Sequence, residues 1–273
     1  MRVSVVTLSF NQAAFLERAI RSVLDQDWPD IEFIVVDPGS TDGSRDIIAR
    51  HADRIARVIL EPDDGPADGL NKGFAVATGE VFAYLNADDT LLPGAVRAAA
   101  EALRRRPETD VVIGHGYIVD AANHVLRRFR SAPFNAWRFA YGHAVVMQQS
   151  TFFRRRAFVA VGGFNVDNRT SWDAELILRM GLAGCRIRVV DGWWSTFTIH
   201  DSSISGTGRL NDVYAEDLAR YARMVLGRER RPSDAVWSRV AWLWRWLIDP
   251  LGAAQRVADR LFGPPQPLAD RRP

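Results

Sequence analysis

Cysteine is nearly absent from this chain of 273 residues, and its scarcity excludes several kinds of protein. Cys185 is the single cysteine, so neither an internal disulfide framework nor a zinc site built on cysteine ligands is available. No uninterrupted apolar run approaches the roughly 20 residues that a membrane-spanning helix needs. The first apolar run ends at Asn11, too early for the apolar core of a signal peptide. These absences predict a protein of the reducing cytoplasm.

A strong excess of either charge is also missing. The chain has 35 Lys and Arg against 33 Asp and Glu, so a pI near 9.0 gives no indication of nucleic-acid binding. Two phosphate-binding motifs are missing as well, because no Gly-x-Gly-x-x-Gly follows the first apolar run and no P-loop lysine is present. Any bound phosphate therefore needs another source of positive charge. A metal ion, aided by Lys72, is the candidate.

Apolar residues are abundant and follow a regular pattern. They make up 47% of the chain, enough for one large α/β domain with an appendage. Short apolar runs predict strands at 3–8, 33–36, 57–60 and 81–85, and between them apolar residues recur every three or four positions, as in helices. Strands that alternate with helices predict an α/β fold, with a mostly parallel, Rossmann-like sheet flanked by helices.

Polar clusters follow each of the four predicted strands, at 7–11, 37–42, 63–68 and 86–89. Parallel strands end at one edge of a sheet, so these clusters are predicted to form a ligand crevice there. The last cluster, Asn86-Ala87-Asp88-Asp89, is the most informative. Adjacent carboxylates repel each other unless a cation or ligand hydroxyls offset the repulsion. Oxygen ligands suit Mg²⁺ or Mn²⁺, and the cluster therefore predicts a metal site.

Five segments of the chain carry a family resemblance. They are Ser9-Phe10-Asn11, Val35 to Gly43 (VVDPGSTDG), Asp64 to Gly73 (DGPADGLNKG), Ala77-Thr78-Gly79 and Leu85 to Asp89 (LNADD). Each segment is weak evidence alone, but five in the same order and spacing are specific. Over roughly residues 1–205 they resemble the family 2 glycosyltransferases of the GT-A fold. The chain departs from common forms of these motifs at Pro38, Gly69 and Asn86, which bears on metal affinity more than on fold.

The resemblance implies an inverting transfer of a sugar from a nucleoside diphosphate donor, with a UDP-sugar favoured and Mn²⁺ or Mg²⁺ as cofactor. Asp173, at the start of a predicted helix, matches the catalytic base. The implied metal-binding residues are Asp88, Asp89 and His200, and which aspartate is the direct ligand stays open. The implied donor-binding residues are Thr7, Ser9, Asn11, Asp37, Asp68, Lys72, Asn86 and Asp88.

Several of these residues also have simpler structural explanations. A carboxylate such as Asp173 in the first turn of a helix is favourable to the helix dipole without any chemistry. Asp42 and Ser44 are typical helix-capping residues. A lone histidine such as His200 often serves only as a hydrogen-bonded polar residue.

Two other functional classes compete with the glycosyltransferase hypothesis. A metal-dependent nucleotidyltransferase is expected to have a glycine-rich and basic loop near its N-terminus, and residues 8–12 contain neither glycine nor a basic residue. A degenerate scaffold that binds nucleotide sugars without catalysis is the second rival. The joint presence of Asp88, Asp89 and Asp173 argues against it.

The sequence changes character at about residue 206. Residues 210–226, 235–248 and 251–262 predict helices, and the second holds four of the nine tryptophans. In helical projection Val236, Val240, Leu243 and Leu247 form one stripe, with Trp237 and Trp244 beside it and Trp242 and Trp246 on another side, near Arg239 and Arg245. Exposed Trp and Arg suit a membrane interface, an oligomer contact or a lipid-linked acceptor. The alternative is packing on the catalytic domain or on a partner subunit.

The sequence thus predicts three parts: a catalytic domain at 1–205, a helical extension at 206–263 and a disordered tail at 264–273. The predicted function is glycosyl transfer to a glycan or lipid-linked acceptor, in the synthesis of a surface polysaccharide or glycolipid. The predicted location is the cytoplasm. Residues 233–263 are expected either to contact the cytoplasmic face of the inner membrane peripherally or to form a homo-oligomer contact.

Overall fold

The computed structural model describes residues 1–143, 145–201, 211–248 and 250–263. These ranges form an α/β structure in which helices flank a mixed sheet of nine strands, and the predicted α/β class is confirmed. The strands are β1 (Val3–Leu8), β2 (Ile31–Val36), β3 (Arg57–Ile59), β4 (Val81–Asn86), β5 (Thr90–Leu91), β6 (Val111–Val119), β7 (Val125–Phe129), β8 (Thr151–Arg154) and β9 (Ile187–Thr198). The helices of the first part are α1 (Ala13–Leu24), α2 (Ser44–Arg50), α3 (Pro66–Val76), α4 (Ala95–Arg105), α5 (Ala136–Ala140), α6 (Arg155–Ala160) and α7 (Trp172–Leu182).

The parallel part of the sheet has the order β3-β2-β1-β4. Its strands are the four that the apolar runs predict, and each of β1, β2 and β4 is buried over most of its length, as expected for a sheet covered on both faces. In this register Leu8 pairs with Val36 on one side and with Asn86 on the other. The three strands therefore end in one row.

The other part of the sheet contains antiparallel pairs that the strand and helix alternation did not predict. β8 joins β4 and β6 in antiparallel pairs, and β9 pairs in parallel with β6 and antiparallel with β5. Helix α6 covers Arg155–Ala160 and follows β8 directly. The preceding Phe152 and Phe153 are buried and paired with β6, as aromatic residues often are in strands.

Two apolar layers sandwich the sheet. On one face, α1 and α4 pack through residues such as Leu16, Ile20 and Leu103 against β1 and its neighbours. On the other face, α3, α6 and α7 bury a cluster of aromatic rings around Phe74 and Phe158. Helices on both faces leave the strand ends as the open edge of the sheet.

The described residues after the sheet form three helices: α8 (Asn211–Leu226), α9 (Asp234–Ile248) and α10 (Pro250–Phe262). Their bounds agree closely with the predicted helical ranges. Tyr221 of α8 is fully buried, and its hydroxyl donates to the carbonyl of Ser171 (2.7 Å), which joins α8 to the start of α7. The predicted disordered tail at 264–273 and the predicted domain junction near 205 lie outside the described residues.

None of the helices in the described ranges combines the length and hydropathy required to cross a bilayer.

Candidate active site

The row of strand ends brings three of the predicted polar clusters together. Ser9 follows β1, and its backbone N–H donates to the carbonyl of Val36 (2.9 Å), while the N–H of Ala87 donates to the carbonyl of Leu8 (3.1 Å). Asp37 and Ala87 therefore stand on either side of Ser9, two strand spacings or about 10 Å apart. The sheet edge thus gathers the first, second and fourth clusters.

Buried polar atoms without partners mark this edge. Within the described residues, Thr7 Oγ1, Ser9 Oγ and Asp37 Oδ2 are buried and have no hydrogen-bond partner. The other carboxylate oxygen of Asp37, Oδ1, is well hydrogen-bonded. It accepts from the backbone N–H groups of Gly39 (3.1 Å) and Ser40 (2.8 Å) and from Nε of Arg45 (3.1 Å). Leaving buried polar groups unpaired costs about 1–3 kcal/mol each. Their clustering indicates a place where a polar ligand or ordered water completes the hydrogen bonding.

Asn11 is hydrogen-bonded to the loop that follows β2. Its side-chain oxygen accepts from the backbone of Thr41 (2.9 Å), and its own N–H donates to Ser40 Oγ (2.8 Å). Asn11 therefore joins the loop after β1 to the loop after β2. Asp42 also connects these loops. Its carboxylate accepts hydrogen bonds from the backbone N–H groups of Ala13 (2.8 Å) and Ser44 (3.0 Å). These contacts agree with the structural explanation given above, in which Asp42 is a helix-capping residue.

The two adjacent aspartates lie in different environments. Asp89 is fully buried, and its carboxylate accepts from the N–H of Thr198 (2.9 Å) and from Gln149 Nε2 (2.8 Å). Burial, together with the neighbouring charge of Asp88, raises the pKa of Asp89 well above its ordinary value. Asp88 instead lines the open cleft. Of the pair, Asp88 is the carboxylate with access to a ligand, and Asp89 holds the turn against β9.

His200 completes a pair with Asp88. Its Nε2 lies 3.1 Å from Asp88 Oδ2, and its ring stacks on Phe15 of α1 with 4.5 Å between centroids. The described residues contain no cluster of three or more His, Cys, Asp or Glu side chains spaced for a metal. Asp88 and His200 nevertheless offer one oxygen and one nitrogen ligand, and donor phosphates and water commonly supply the remaining ligands of Mg²⁺. The residues present therefore fit a divalent ion that binds together with a phosphate-bearing donor.

Asp173 lies in the first turn of α7, as the sequence predicts, and lines the same cleft as Asp88. Burial raises the pKa of the Asp173 carboxyl, although the N–H of Ala174 opposes this shift. A raised pKa makes the ionised carboxylate a stronger base.

The cleft has a volume of about 490 Å³. It combines the ends of β1 and β4, the start of α7 and the outer part of β6, β7 and β9. Its lining residues are Leu8, Phe10, Gln12, Pro66, Tyr84, Asn86, Ala87, Asp88, Ile118, Arg127, Phe129, Val146, Met147, Gln148, Gln149, Thr170, Trp172, Asp173 and Phe197.

Asp68 and Lys72 are paired with each other. The Asp68 Oδ2 and Lys72 Nζ atoms are 2.9 Å apart, and Lys72 also donates to the carbonyl of Pro62 (2.6 Å). These contacts brace the loop after β3, and neither residue lines the cleft. The ammonium group of Lys72 is bound by Asp68 and by the carbonyl of Pro62. Its predicted contribution to phosphate binding would require these contacts to rearrange.

Two arginines that received no role from the sequence belong to this region. Arg18 of α1 is half-buried, and its Nη2 lies 3.5 Å from the carbonyl oxygen of Asp88 and 3.4 Å from Thr198 Oγ1. Arg127 of β7 is the one basic residue among the described residues that line the cleft. Arg127 belongs to a run of arginines on an ordinary strand, so no local signal distinguished it. Only the pairing of β7 with β6 places it there.

Comparison with known proteins agrees with this geometry. A family model described as glycosyl transferase family 2 matches residues 4–162, more than half of the chain. The matched range contains β1 to β4 and the Asp88-Asp89 turn.

Among curated relatives, an uncharacterised glycosyltransferase of Nostoc is 36% identical over 132 residues, which is 45% of this chain and 41% of that protein. An uncharacterised glycosyltransferase of Mycobacterium tuberculosis is 34% identical over 182 residues, 66% of this chain and 69% of that protein. A Bacillus subtilis protein, provisionally named as a teichuronic acid biosynthesis glycosyltransferase, is 43% identical over 90 residues, 32% of this chain and 36% of that protein. The chain thus spans only part of the length of these relatives.

Solved structures share the fold at low identity. The S. aureus TarS fragment 1–349 in complex with UDP-GlcNAc has a TM-score of 0.65 at 18% identity, covering 85% of this chain and 68% of that chain. The mannosyltransferase PcManGT of Pyrobaculum calidifontis, in complex with GDP-Man and Mn²⁺, has a TM-score of 0.62 at 20% identity, covering 96% and 76%.

Proposed function

Because the chain belongs to glycosyl transferase family 2, we propose that it transfers a sugar from a nucleoside diphosphate sugar to a glycan or lipid-linked acceptor, with inversion at the anomeric carbon. The observation that carries this proposal is that Asp88 and Asp173 line one cleft, at the edge where the unpaired polar atoms of Thr7, Ser9 and Asp37 lie. We therefore assign a nucleotide-binding site and a catalytic base to the same cleft.

The nucleoside is assigned to the ends of β1 and β2. Thr7, Ser9 and Asp37 each keep a polar atom without a partner in the described structure, and the hydroxyl and amide groups of a nucleoside would satisfy such atoms. The other oxygen of Asp37 is held by backbone donors and by Arg45, which orients the free one. Asn11 supports this site indirectly by joining the two loops.

The diphosphate is assigned to the neighbourhood of Asp88 and His200. A divalent ion held by these two residues would offset the negative charge that develops on the leaving diphosphate. The N–H of Thr198 and the amide of Gln149 hold Asp89 in place, so the adjacent Asp88 is presented from a rigid turn. Asn86 extends the polar lining towards the donor.

Asp173 is assigned the role of base. In a single displacement, the acceptor hydroxyl oxygen bonds to the anomeric carbon, the bond from that carbon to the diphosphate oxygen breaks, and the hydroxyl proton passes to the Asp173 carboxylate. The diphosphate leaves with the bonding electron pair. Burial raises the pKa of Asp173, which suits a carboxylate that must accept a proton from an alcohol.

The setting of the reaction is proposed from the relatives. The Bacillus subtilis relative bears a name from teichuronic acid biosynthesis, which supports a polysaccharide as the product of this chain. The structures with the same fold include complexes with UDP-GlcNAc and with GDP-Man. The fold therefore accommodates either base, and a UDP-sugar is the first donor to test.

Nucleotide binding is the first experiment. Calorimetric titration with UDP, GDP and dTDP, each with and without Mn²⁺, is expected to show tight binding of one nucleotide and a gain in affinity with the ion. Asp88→Asn should remove most of that gain, whereas Asp25→Asn, an exposed carboxylate on another part of the surface, should leave it unchanged. Failure of all three nucleotides to bind would contradict the proposed donor class.

Transfer is tested with Asp173→Asn. Release of nucleoside diphosphate from the preferred nucleotide sugar, measured with a lipid and glycan extract as acceptor, should fall by about 10²–10⁴-fold, with nucleotide affinity retained. Substantial transfer by this variant would reject Asp173 as the base. If the wild-type protein binds a nucleotide sugar but never turns it over with any acceptor, the scaffold alternative is favoured instead.

A further inference from the structure

The apolar stripe of α9 faces outward. Val236, Leu243 and Leu247 are 62%, 56% and 80% exposed, whereas Ala241 is fully buried. With about 100° between successive residues of a helix, the three exposed residues lie within about 40° of one another and Ala241 points to the other side. The helix therefore contacts the protein through Ala241 and, on one flank, through Trp237 and Trp244, whose rings lie near Trp137. Its side chains Val236, Leu243 and Leu247 face the surroundings. In a helix that packs on a core, the large apolar side chains would be the buried ones.

Aromatic rings extend this outward face on both sides. Trp237 and Trp244 lie on one flank of the stripe and Trp242 on the other, and all three are about half exposed. The next helix contributes as well, since Val257 and Leu261 of α10, one turn apart, are exposed to 50% and 71%. We call the exposed large apolar side chains of these two helices the α9–α10 surface. They are Val236, Trp237, Trp242, Leu243, Trp244, Leu247, Val257 and Leu261.

The charges around the α9–α10 surface are mainly positive. Residues 228–263 contain seven arginines and four carboxylates, a net charge of +3. The two carboxylates described in α9 and α10 are already paired, Asp234 with Arg228 at 2.7 Å and Asp259 with Arg128 of β7. Arg231 and Arg239 are exposed beside the apolar residues. The surface is therefore apolar at its centre and cationic at its margin.

We propose that the α9–α10 surface binds to an anionic lipid bilayer, with both helices lying in the membrane plane. Leucine and valine side chains would enter the boundary of the acyl chains, tryptophan rings prefer the interface, and arginines would contact lipid phosphates. A second copy of the chain is the less suitable occupant. In a symmetric dimer through this face both copies would contribute Arg231 and Arg239, and the described part of α9 and α10 offers no free carboxylate to neutralise them.

The placement of this surface also connects it with the cleft. Asp259 of α10 is paired with Arg128, and the adjacent Arg127 on β7 lines the cleft. A bilayer on the α9–α10 surface would therefore lie near the part of the cleft formed by β6 and β7. This last step rests on the proposed function, because it implies that the acceptor is presented by the membrane.

Vesicle binding tests the proposal without any enzymatic readout. The purified protein of 273 residues is sedimented with vesicles of phosphatidylcholine alone or mixed with phosphatidylglycerol. Wild type is expected to sediment with the mixed vesicles and much less with phosphatidylcholine, and to be released by salt. Leu243→Glu combined with Leu247→Glu should weaken binding about tenfold or more. Arg231→Gln combined with Arg239→Gln should weaken binding to the anionic vesicles by about fivefold per charge.

The matched control is Val159→Glu, because Val159 on α6 is also exposed and apolar but lies outside the α9–α10 surface. It should bind vesicles like wild type, and circular dichroism melting should show that every variant is folded. The proposal is overturned if wild type does not sediment with anionic vesicles, or if the double leucine variant binds as wild type does. A dimer in light scattering that the leucine variant dissociates, without vesicle binding, would identify the surface as a subunit interface instead.

Discussion

Thr7 has a buried hydroxyl whose oxygen has no partner in the described part of the chain. Thr7→Val removes this hydroxyl at nearly constant shape. We expect the free energy of unfolding to rise by about 1 kcal/mol, because an unsatisfied buried group is removed. If a nucleoside completes the hydrogen bonding of Thr7, the same variant should bind its nucleotide about fivefold more weakly. Urea unfolding and calorimetry measure the two effects.

Thr109→Val is the matched control for this prediction. Thr109 is also buried, and its Oγ1 also has no described partner. It lies between α4 and the start of β6, whereas Thr7 lies near the end of β1. It should gain stability without any change in nucleotide affinity. Equal nucleotide affinity of the Thr7 variant and wild type would exclude a hydroxyl contact to the ligand.

Asp173 gives a prediction about stability and pH. Burial raises its pKa in the folded state, so the native protein holds this proton more tightly than the unfolded chain does. The ionised carboxylate therefore destabilises the fold, and this penalty develops as the pH rises from the unfolded pKa, about 3.9, through the folded pKa. Asp173→Asn should raise the melting temperature at pH 7, and the gain should shrink towards pH 4.

Asp68→Asn should change stability in the opposite direction. Its hydrogen bond with Lys72 lowers the pKa of Asp68, so its ionised form stabilises the fold above the unfolded pKa and this stabilisation is lost as the pH falls through the folded pKa. Melting curves of both variants from pH 4 to pH 8 test the signs. A lower melting temperature for the Asp173 variant at pH 7 would contradict a destabilising effect of this partly buried carboxylate.

Helix α3 packs unusually close to the sheet. A methyl group on Gly73 would lie 2.5 Å from Val6 Cγ1 of β1, and one on Gly69 would lie 2.4 Å from Asp63 Oδ2. The chain departs from the common motif at Gly69, and the missing side chain there leaves room for Asp63 in the loop after β3. The two glycines set the distance between the helix and the strand end that precedes the site.

Gly73→Ala tests this close approach. The gain in helix propensity is about 1 kcal/mol, but the added methyl group collides with a fully buried valine, and overpacking costs about 1–3 kcal/mol. We expect a net loss of stability in urea unfolding. Ala75→Ser, at an exposed position of the same helix, should change stability by no more than about 0.5 kcal/mol. Increased stability of Gly73→Ala would show that the helix moves away without cost.

At the scale of the whole molecule, α9 is joined to the rest of the protein by a few contacts. The ring of Trp137 lies against Trp237 and Trp244, with 6.1 and 6.0 Å between centroids. Ala241 of this helix is buried in a small cluster with Ala140 and Tyr141, and His143 contacts Ser238 (3.1 Å). The sheet and its flanking helices, by contrast, are built around two extensive apolar clusters. The α9–α10 surface is therefore expected to open locally without unfolding of the sheet.

Trp137→Ala measures this difference in stability. Loss of the ring should accelerate amide hydrogen exchange in 234–248 by about tenfold or more, with unchanged exchange in β1 and β4. Mass spectrometry of exchanged peptides resolves the two regions, and Val159→Ala, an exposed residue of α6, is the control. Faster exchange throughout the sheet would show that the helices and the sheet unfold as one unit.

The sequence by itself determined the first half of the sheet and the chemistry at its edge. Local periodicity gave the four parallel strands, because side chains buried on both faces must be apolar, and the polar residues after each strand marked the edge. Asp88 lines the cleft at that edge, and Asp173, which the family resemblance indicated, lines the same cleft. The helical ranges of the last sixty residues also followed from periodicity.

Tertiary structure alone decided which side chains face the cleft and which face away. Asp88 is open and Asp89 is buried because β9 delivers the N–H of Thr198 to one of two neighbouring carboxylates. Lys72 is held by Asp68 and Arg127 enters the cleft, since strand pairing over long sequence separations places them. The stripe of α9 was visible in the sequence, but its outward direction was not. Periodicity shows that a helix has two faces, and only packing against Trp137 and burial of Ala241 determine which face meets the protein.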